Sequence, residues 1–557
     1  MTGTTDPVTL AGADLAAHAP HLLDGFHAAL PRAADVVTRR LLGAAWREDL
    51  GDARRVLRPA RRHGFDRIEV AGAVPSTPSA ALAELGVAGA GLAAELADAG
   101  RNLALGYARR AAIDTDLRAR AAAAGTADLY GLAATLDGDE QMLLYERLAT
   151  EGHNLHPCGR TRLGWQVPDL LAHDQESPET GVGFVAVRAG LHLGDDLGAL
   201  LRDGYPWLPT PPAGYRLQPV HAWQLATVLP DRHADLFASR DLIRIDAAAL
   251  RAAPTIALRT VLLEPDAHGV RRYLKLSLDI QVTSTRRTIS VATTRNGPAI
   301  SALLRRLLAD DPRVLLLPEV AGAAVTAGGG GGRDISAIVR GGLSGALAPG
   351  EVAIPGSALV ATSPVSGHSV LSELLARAGL DPLEFLTRYA RVLLPPLLRL
   401  AAAGVGLEAH LQNSIPTFID GVPHRMAYRD FAGLRLHLPR LAAHPAGAPR
   451  LWPGSVIGTG EADVMRAKLA YTALQAHLGE LVTHLVATHG LDEAAAWRAV
   501  RRVLDEARAD PADHAFLTAP RVPHKALVRM RLADTGGSGP RDAADAYVPV
   551  NNPLHAF

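Results

Sequence analysis

The residue pattern of this 557-residue chain changes twice, and these two changes limit the folds that it can adopt. Residues 10–150 are rich in Ala, Leu, Arg and Glu at helical spacing, most clearly at 37–46 and 80–101. Strand-like runs follow at 183–193, 260–264 and 273–290. Helical spacing returns after about residue 370. The pattern predicts an α+β fold in which helical segments flank a mixed centre that contains a sheet.

The later helices can be placed by their end signals. We predict helices at 371–378, 382–403 and 462–489, with Gly404 and Gly406 at the end of the second as C-terminal caps. Glycine-rich runs at 328–332 and 535–540 are typical of loops. The predicted units are a helical N-terminal region at 1–150, an α/β region at 151–345 and a mainly helical region at 346–557.

Composition excludes several classes of function. The 57 basic and 57 acidic residues balance, and aromatic residues make up 4%, so neither net charge nor base-stacking side chains favour nucleic-acid binding. The single cysteine, Cys158, excludes an internal disulfide framework and a cysteine-cluster zinc site. We find no secretory signal and no apolar run long enough to cross a bilayer. We therefore expect a cytoplasmic enzyme without nucleic-acid or membrane partners.

Residues 151–165 hold two histidines, two arginines and three glycines, with almost no apolar periodicity. Glycines let the backbone approach a ligand, while Arg160 and Arg162 offer planar donors for phosphate or carboxylate. The segment therefore favours anion binding. His153 and His156 are an alternative zinc pair, but the neighbouring glycine, asparagine and proline disfavour the helix that this spacing needs.

Two later segments carry alternating polar residues. If 273–290 is one unbroken strand, one face of it presents a polar row with a cation at each end: Lys275, Ser277, Asp279, Gln281, Thr283, Thr285 and Arg287. An ordinary solvated face would have the same pattern. Glu408, His410 and Gln412 also alternate, and Asp430 adds a second carboxylate, which suits Mg²⁺ or nucleotide contacts and an acid, base or orienting histidine.

Together these motifs resemble the IucA/IucC-like siderophore synthetases, which build siderophores without a nonribosomal peptide synthetase. The resemblance rests on Gly152-His-Asn-Leu-His-Pro157, Arg259-Thr260, Lys275-Leu-Ser-Leu, Thr283-Ser-Thr-Arg-Arg287, Glu408-Ala-His-Leu-Gln-Asn413, Arg429-Asp-Phe-Ala-Gly433 and Lys525. It implies a cupped-hand fold with a helical thumb, nucleotide-binding fingers that contain an antiparallel sheet, and a helical palm. It also implies that ATP and Mg²⁺ convert a carboxylate, commonly of citrate, to an acyl adenylate. An amine or hydroxylamine then displaces AMP. The small-molecule acid and amine are the expected partners, and a homodimer is expected.

The resemblance assigns roles residue by residue. ATP contacts are implied for His153, Arg160, Arg162, Arg259, Lys275, Gln412 and Asp430. Carboxylate binding is implied for Thr283, Arg287, His410 and Lys525, and Mg²⁺ binding for Glu408 and Asp430. Arg287, His410 and Lys275 are the implied catalytic residues. Cations and Mg²⁺ would offset the repulsion between triphosphate and carboxylate.

The sequence departs from the family pattern at several positions. Arg160 stands where the family usually has lysine, Asn154 and Ala222 where it has proline, and Ala257 where it has serine. We expect the proline losses to loosen their loops, and Thr255 or a water to replace the missing hydroxyl. The alternatives to a siderophore synthetase are an adenylating amide ligase of another specialised pathway and a degenerate homologue that binds nucleotide without turnover.

Overall fold

The computed structural model describes residues 7–283, 285–326, 332–533 and 547–557. The loops predicted at 328–332 and 535–540 lie outside these residues, apart from Gly332. The helices are α1 Pro7–His18, α2 Leu23–Glu48, α3 Ala53–Val56, α4 Pro78–Glu84, α5 Ala90–Ala123, α6 Leu129–Ala133, α7 Gly138–Glu146, α8 Val167–His173, α9 Leu197–Gly204, α10 Leu229–Arg232, α11 Ala234–Ala238, α12 Val291–Leu307, α13 Val370–Ala378, α14 Pro382–Ala403, α15 Leu438–Ala443, α16 Ala462–Leu469, α17 Gly479–His489, α18 Glu493–Glu506, α19 Pro511–Leu517 and α20 Leu527–Ala533.

The strands are β1 Pro59–His63, β2 Arg67–Val70, β3 Thr180–Arg188, β4 His192–Gly194, β5 Tyr215–His221, β6 Leu242–Pro254, β7 Thr260–Leu263, β8 Arg272–Leu276, β9 Leu278–Val282, β10 Thr285–Arg287, β11 Val314–Leu316, β12 Glu319–Val325, β13 Ala337–Gly341, β14 Glu351–Ala353, β15 Val405–Gly406, β16 Ser414–Ile419, β17 Val422–Tyr428, β18 Arg435–His437, β19 Gly458–Thr459, β20 Arg521–Lys525 and β21 Tyr547–Asn551.

The centre of the fold is an eight-stranded sheet in the order β4-β12-β13-β8-β7-β6-β3-β5. Every neighbouring pair in this sheet is antiparallel. A second sheet, β11-β17-β16-β14, shares the largest apolar core with α14 and the later helices. A separate core joins α2 and α5 to the residues around Trp165 and Trp223. The prediction of an α+β fold with antiparallel sheet is confirmed, while the cupped-hand shape, the three domain boundaries, the homodimer and the cytoplasmic location stay predictions.

Helices with strong end signals lie where the sequence placed them. Helix α14 runs from Pro382 to Ala403, because Asp381 accepts from two backbone N–H groups at its start and Gly404 adopts φ 102° at its end. Gly406 is not a cap but lies in β15. The single helix predicted at 80–101 is wrong, since α4 and α5 are separated by residues 85–89, where Gly86 adopts φ 65°.

The predicted unbroken strand at 273–290 is also wrong. Strand β8 belongs to the large sheet, whereas β9 and β10 form a two-stranded hairpin that turns at Thr283, with φ 56°. Ser277 lies in the break between β8 and β9, and its hydroxyl donates to the Arg333 carbonyl. The alternating residues therefore do not share one face. In the first 150 residues, the β1–β2 hairpin was not predicted. Among the described residues, no helix combines the length and apolar character needed to cross a membrane.

The long helix predicted at 462–489 forms as α16, a π-helical segment at Ala470–Leu478 and α17. Stretches of π-helix inside α-helices often occur near functional sites. His477 of this segment is fully buried, with Nε2 2.7 Å from the Tyr389 hydroxyl and Nδ1 3.1 Å from the Ala409 carbonyl. Burial lowers the pKa of His477 to about 4. The imidazole is thus neutral at pH 7 and holds the backbone beside His410.

We expect the protein to lose stability in acid because of this histidine. The unfolded chain binds a proton near pH 6.5 and the folded chain near pH 4, so stability falls as pH decreases across that window. The expected loss is about 3 kcal/mol. Urea unfolding at several pH values measures it. His477→Gln should be less stable at pH 7, but the difference from the unaltered protein should shrink towards pH 4. A constant difference would contradict this origin.

Candidate active site

A cavity of about 670 Å³ opens between the large sheet and the helical parts of the fold. Eleven of the twelve residues assigned from the sequence line it: His153, Arg162, Arg259, Lys275, Thr283, Arg287, Glu408, His410, Gln412, Asp430 and Lys525. They come from positions almost 400 residues apart in the chain. The structure therefore gathers nearly the whole predicted set at one cavity, and the exception is Arg160.

The histidine loop is fixed by its own backbone. Gly152 adopts φ 68°, and a Cβ there would lie 2.6 Å from the Gly159 carbonyl oxygen, so only glycine fits. His153 Nδ1 accepts from the backbone N–H groups of Leu155 and His156, at 3.1 and 3.2 Å. The ring proton therefore resides on Nε2. Burial, followed by the neighbouring histidines, holds the pKa of His153 well below its usual value, so it is a neutral hydrogen-bond donor.

The alternative zinc pair is not supported by ring geometry. His156 Nδ1 accepts from the Cys158 backbone N–H at 3.0 Å, and burial lowers its pKa to about 3. The His153 and His156 rings lie 6.1 Å apart and are nearly perpendicular. Within the described residues, no group of three or more His, Cys, Asp or Glu side chains could hold a metal ion.

Arg160 points away from the cavity. Its Nη2 lies 3.1 Å from both Asp174 and Glu176, and all three side chains are buried. The two carboxylates stabilise the buried guanidinium, which explains why it lies beneath the loop instead of at the ligand surface. Arg162 shares Asp174 at 3.3 Å and does line the cavity. Although burial alone would raise it, these two arginines lower the pKa of Asp174 to about 2.

Three arginines crowd one side of the cavity. Arg287, at the end of β10, donates from Nη2 to the Thr283 hydroxyl at 3.0 Å, while its buried Nε has no hydrogen-bond partner among the described residues. Burial, then Arg259 and Arg162, lowers the pKa of Arg287 to about 9. Burial also lowers the pKa of Arg259. Positive charges held this close destabilise one another until an anion enters, so this side of the cavity favours an anionic ligand.

Lys275 is the centre of a buried network of ion pairs beside the cavity. Its Nζ lies 3.1 Å from Glu319 and 2.8 Å from Asp430, and Asp430 also lies 3.2 Å from Arg340. Although burial would raise it, Lys275 and then Arg340 keep the pKa of Asp430 far below its usual value. Asp430 adopts φ 60°, a strained conformation for a residue with a side chain. The carboxylate is therefore ionised and rigidly oriented.

Glu408 is positioned by Lys468 and Gly433. Lys468 Nζ lies 3.0 Å from Glu408 Oε1, and this cation keeps the pKa of Glu408 well below its usual value despite burial. A Cβ on Gly433 would lie 1.7 Å from Glu408 Oε2, so the carboxylate occupies the space that a larger residue would fill.

Gly433→Ala should therefore lower activity by at least about tenfold by pushing the Glu408 carboxylate out of place, since small misplacements of reacting groups are costly. The free energy of unfolding should change little, because the displaced atoms end a flexible side chain. Activity and urea unfolding of the variant measure both effects. Gly100→Ala in α5, where a Cβ meets no atom within 4 Å, is the matched control. Equal activity of the two variants would contradict a role for the Glu408 position.

The carboxylates fit a phosphate-bound Mg²⁺ better than a dedicated metal cage. Glu408 and Asp430 are ionised and line the cavity, but each already contacts a lysine. Mg²⁺ commonly takes one or two protein carboxylates and completes its shell with phosphate oxygens and water. These two residues would hold the ion, which would supply charge neutralisation at the phosphates.

Gln412 is fixed through its backbone. Its carbonyl accepts from Arg429 Nε and Nη2, at 3.0 and 2.8 Å. Arg429 forms a buried ion pair with Glu146 at 2.5 Å, and Glu146 also accepts from the Ile256 backbone N–H. One carboxylate thus joins the loop that precedes Arg259 to the loop that carries Gln412. No local sequence pattern predicts that Glu146 connects these two loops.

The departures from the family pattern have structural consequences. Asn154 does not loosen its loop, since its Nδ2 donates to the Ala476 carbonyl and to Glu480, at 3.0 and 2.7 Å. Ala257 lines the cavity, but Thr255 does not replace the absent hydroxyl. Thr255 is buried and donates to the Thr260 carbonyl at 2.7 Å.

One wall of the cavity, formed by helices α2 and α5, was not predicted from the sequence and is called the helical wall below. Side chains from α2 and α5 line it: Arg32, Arg40, Tyr107, Arg110 and Asp114. Arg40 and the Tyr107 hydroxyl each lie 2.7 Å from Glu151. These residues are isolated polar positions on alanine-rich helices, so only the packing of the helices against residue 151 reveals them.

Comparison with known proteins agrees with this geometry. Residues 141–361 match the family described as IucA / IucC family, and residues 383–539 match the family described as ferric iron reductase FhuF-like transporter. The D-ornithine–citrate ligase of Staphylococcus aureus is 28% identical over 480 residues, which cover 75% of this chain and 71% of that protein. Staphyloferrin A synthase of the same species is 25% identical over 429 residues, covering 71% of each protein.

Solved structures share the fold over almost the whole chain. The petrobactin biosynthesis protein AsbB from Bacillus anthracis superposes with a TM-score of 0.73 and 18% identity, covering 96% of this chain and 98% of that one. The ATP-bound aerobactin synthetase IucA from Klebsiella pneumoniae superposes with a TM-score of 0.69 and 18% identity, covering 93% and 99%.

Proposed function

We propose that this chain, whose residues 141–361 match the IucA / IucC family, is a ligase of siderophore biosynthesis. In this proposal it uses ATP and Mg²⁺ to adenylate a carboxylate, such as citrate or a related acid, and joins the acyl group to an amine or hydroxylamine. The observation that carries the proposal is the crowding of Arg162, Arg259 and Arg287 at one cavity, where their charges favour an anionic ligand. The names of the relatives, which include citrate ligases, support the substrate class.

The residues divide between the two anions. Arg259, Lys275 and the Nε2–H of His153 would bind phosphate oxygens, while Arg287, Thr283 and Lys525 would hold the carboxylate. The carboxylate oxygen attacks the α-phosphorus, and the bond to pyrophosphate breaks. Positive charge fixed in place before the reaction stabilises the charge that develops at the α-phosphate. Positioning of the two anions supplies further acceleration.

His410 is the proposed base for the second step. Burial lowers its pKa, so the ring is neutral at pH 7, and it lies 6.5 Å from His153 between ring centroids. The amine nitrogen attacks the acyl carbon, and the bond from that carbon to the phosphate oxygen breaks. AMP leaves, and the amine proton passes to His410. The product is an amide, or a hydroxamate when the acceptor is a hydroxylamine.

Pyrophosphate exchange into ATP tests the first step without an acceptor. The purified protein, Mg²⁺ and a panel of di- and tricarboxylic acids should give exchange with at least one acid, and chelation of Mg²⁺ should abolish it. Mass spectrometry of the product with candidate amines then separates siderophore synthesis from amide ligation in another pathway. If ATP binds but no acid gives exchange, the catalytic proposal is wrong.

A further inference from the structure

The helical wall of the cavity carries a cation, Arg32, that donates no hydrogen bond to any described residue and has only one distant ion-pair partner. Arg32 of α2 stacks over the Tyr107 ring at 4.1 Å, and its side chain is 68% exposed. Its nearest carboxylate, Glu151, is 3.9 Å away and is already bound by Arg40 and the Tyr107 hydroxyl. The stacked ring holds the guanidinium at the cavity, which Arg32 lines.

The other charges of this wall are paired. Arg110 is held by Asp114 at 2.5 Å and by the carbonyls of Leu148 and Thr362. Arg40 donates to both the backbone carbonyl and the side-chain carboxylate of Glu151. The wall therefore contains three cations and two anions, and its unmatched charge is that of Arg32. A polycationic ligand would be repelled here, whereas a carboxylate would be bound.

This wall adjoins the base proposed for the second step. Glu151, which binds Arg40, lies two residues before His153, and the His153 ring lies 6.5 Å from the His410 ring. An acceptor amine that passes its proton to His410 therefore lies near this wall.

On the basis of the proposed function, we infer that Arg32 selects acceptors that carry a carboxylate beside their amine. The acceptor class is then an amino acid with a second, reacting amine, and not a simple diamine or polyamine. Arg32 binds the acceptor carboxylate and repels acceptors that have only positive charge. Specificity thus combines one attractive contact with one repulsive one.

The test uses pairs of acceptors that differ only by the carboxylate, such as ornithine with 1,4-diaminobutane and 2,3-diaminopropanoate with 1,2-diaminoethane. The unaltered protein should prefer the amino acid of at least one pair by about tenfold or more in kcat/KM. Arg32→Ala should lower kcat/KM for that amino acid by about 10- to 100-fold, mainly through KM, as expected for a charged hydrogen bond. The same substitution should leave kcat/KM for the diamine unchanged or raise it. Arg118→Ala, on an exposed part of α5 outside the cavity, is the matched control.

Several results would overturn the inference. These are a preference for diamines, equal losses for both members of a pair, or no use of either member of any pair. An Arg32 effect that follows the number of carboxylates on the acid, with the acceptor unchanged, would assign the residue to the acid instead. Pyrophosphate exchange by the unaltered protein requires no acceptor. Exchange without acceptor selectivity therefore refutes this inference alone, and absence of exchange refutes the proposed function.

Discussion

Arg287→Ala is expected to lower acid-dependent AMP formation by about two to three orders of magnitude, the loss typical of removing one positioned donor to a developing charge. Arg287 contributes its charge at the centre of the arginine cluster, and its Nε, which has no hydrogen-bond partner among the described side chains and backbone, is available to a ligand. Steady-state AMP release with the best acid measures the effect. The loss should appear in kcat as well as in kcat/KM, since the charge that Arg287 stabilises develops in the transition state.

The neighbouring Arg286 provides a matched control. Its side chain is 61% exposed and pairs with Asp279 at 2.7 Å, outside the cavity. Arg286→Ala removes the same charge from the same hairpin and should change activity less than about threefold, as for a surface substitution. A loss of similar size in both variants would show that activity depends on the structure of the hairpin and not on the Arg287 guanidinium.

The free energy of unfolding tests the environment of Arg287 independently of activity. Burial and two neighbouring arginines disfavour the charge on Arg287, as its lowered pKa indicates. Replacing it with methionine removes this repulsion and keeps an apolar side chain of similar length. We therefore expect Arg287→Met to be inactive yet at least as stable as the unaltered protein in urea. A less stable variant would contradict the view that repulsion between the arginines destabilises the fold when no anion is bound.

The sequence predicted best what depends on local chemistry. The bounds of α14 follow from a capping aspartate and a left-handed glycine, both of which act within one turn. Glu408, His410 and Gln412 all line the cavity, but the segment is not a strand, and Leu411 between them lines the cavity too. Lys275 and Arg287 both reach the cavity, but through two separate sheets instead of one face.

Long-range packing could not be predicted. Arg160 is buried because Asp174 and Glu176 return beneath it, which no spacing near Arg160 indicates. Arg32 and Tyr107 become part of the site only because α2 packs against α5. Such positions are typical of solvated helix faces when considered one helix at a time.

Lys275→Met is expected to abolish activity and also to destabilise the protein, unlike the Arg287 variants. Lys275 is 2% exposed and neutralises two carboxylates, Glu319 and Asp430. Removing one partner of a buried ion pair costs about 3–5 kcal/mol, because the remaining charge is left without compensation. The free energy of unfolding in urea measures this cost, and pyrophosphate exchange measures the loss of function.

A second substitution separates the two roles of Lys275. Glu319 is 1% exposed, and its Oε2 has no hydrogen-bond partner in the described part of the chain. Adding Glu319→Gln to Lys275→Met removes the uncompensated charge, so most of the lost stability should return, while Asp430 keeps Arg340 as its partner. Exchange activity should stay absent, because no cation then replaces Lys275 at the phosphates. If stability and activity return together, Lys275 supports the fold and does not contact substrate.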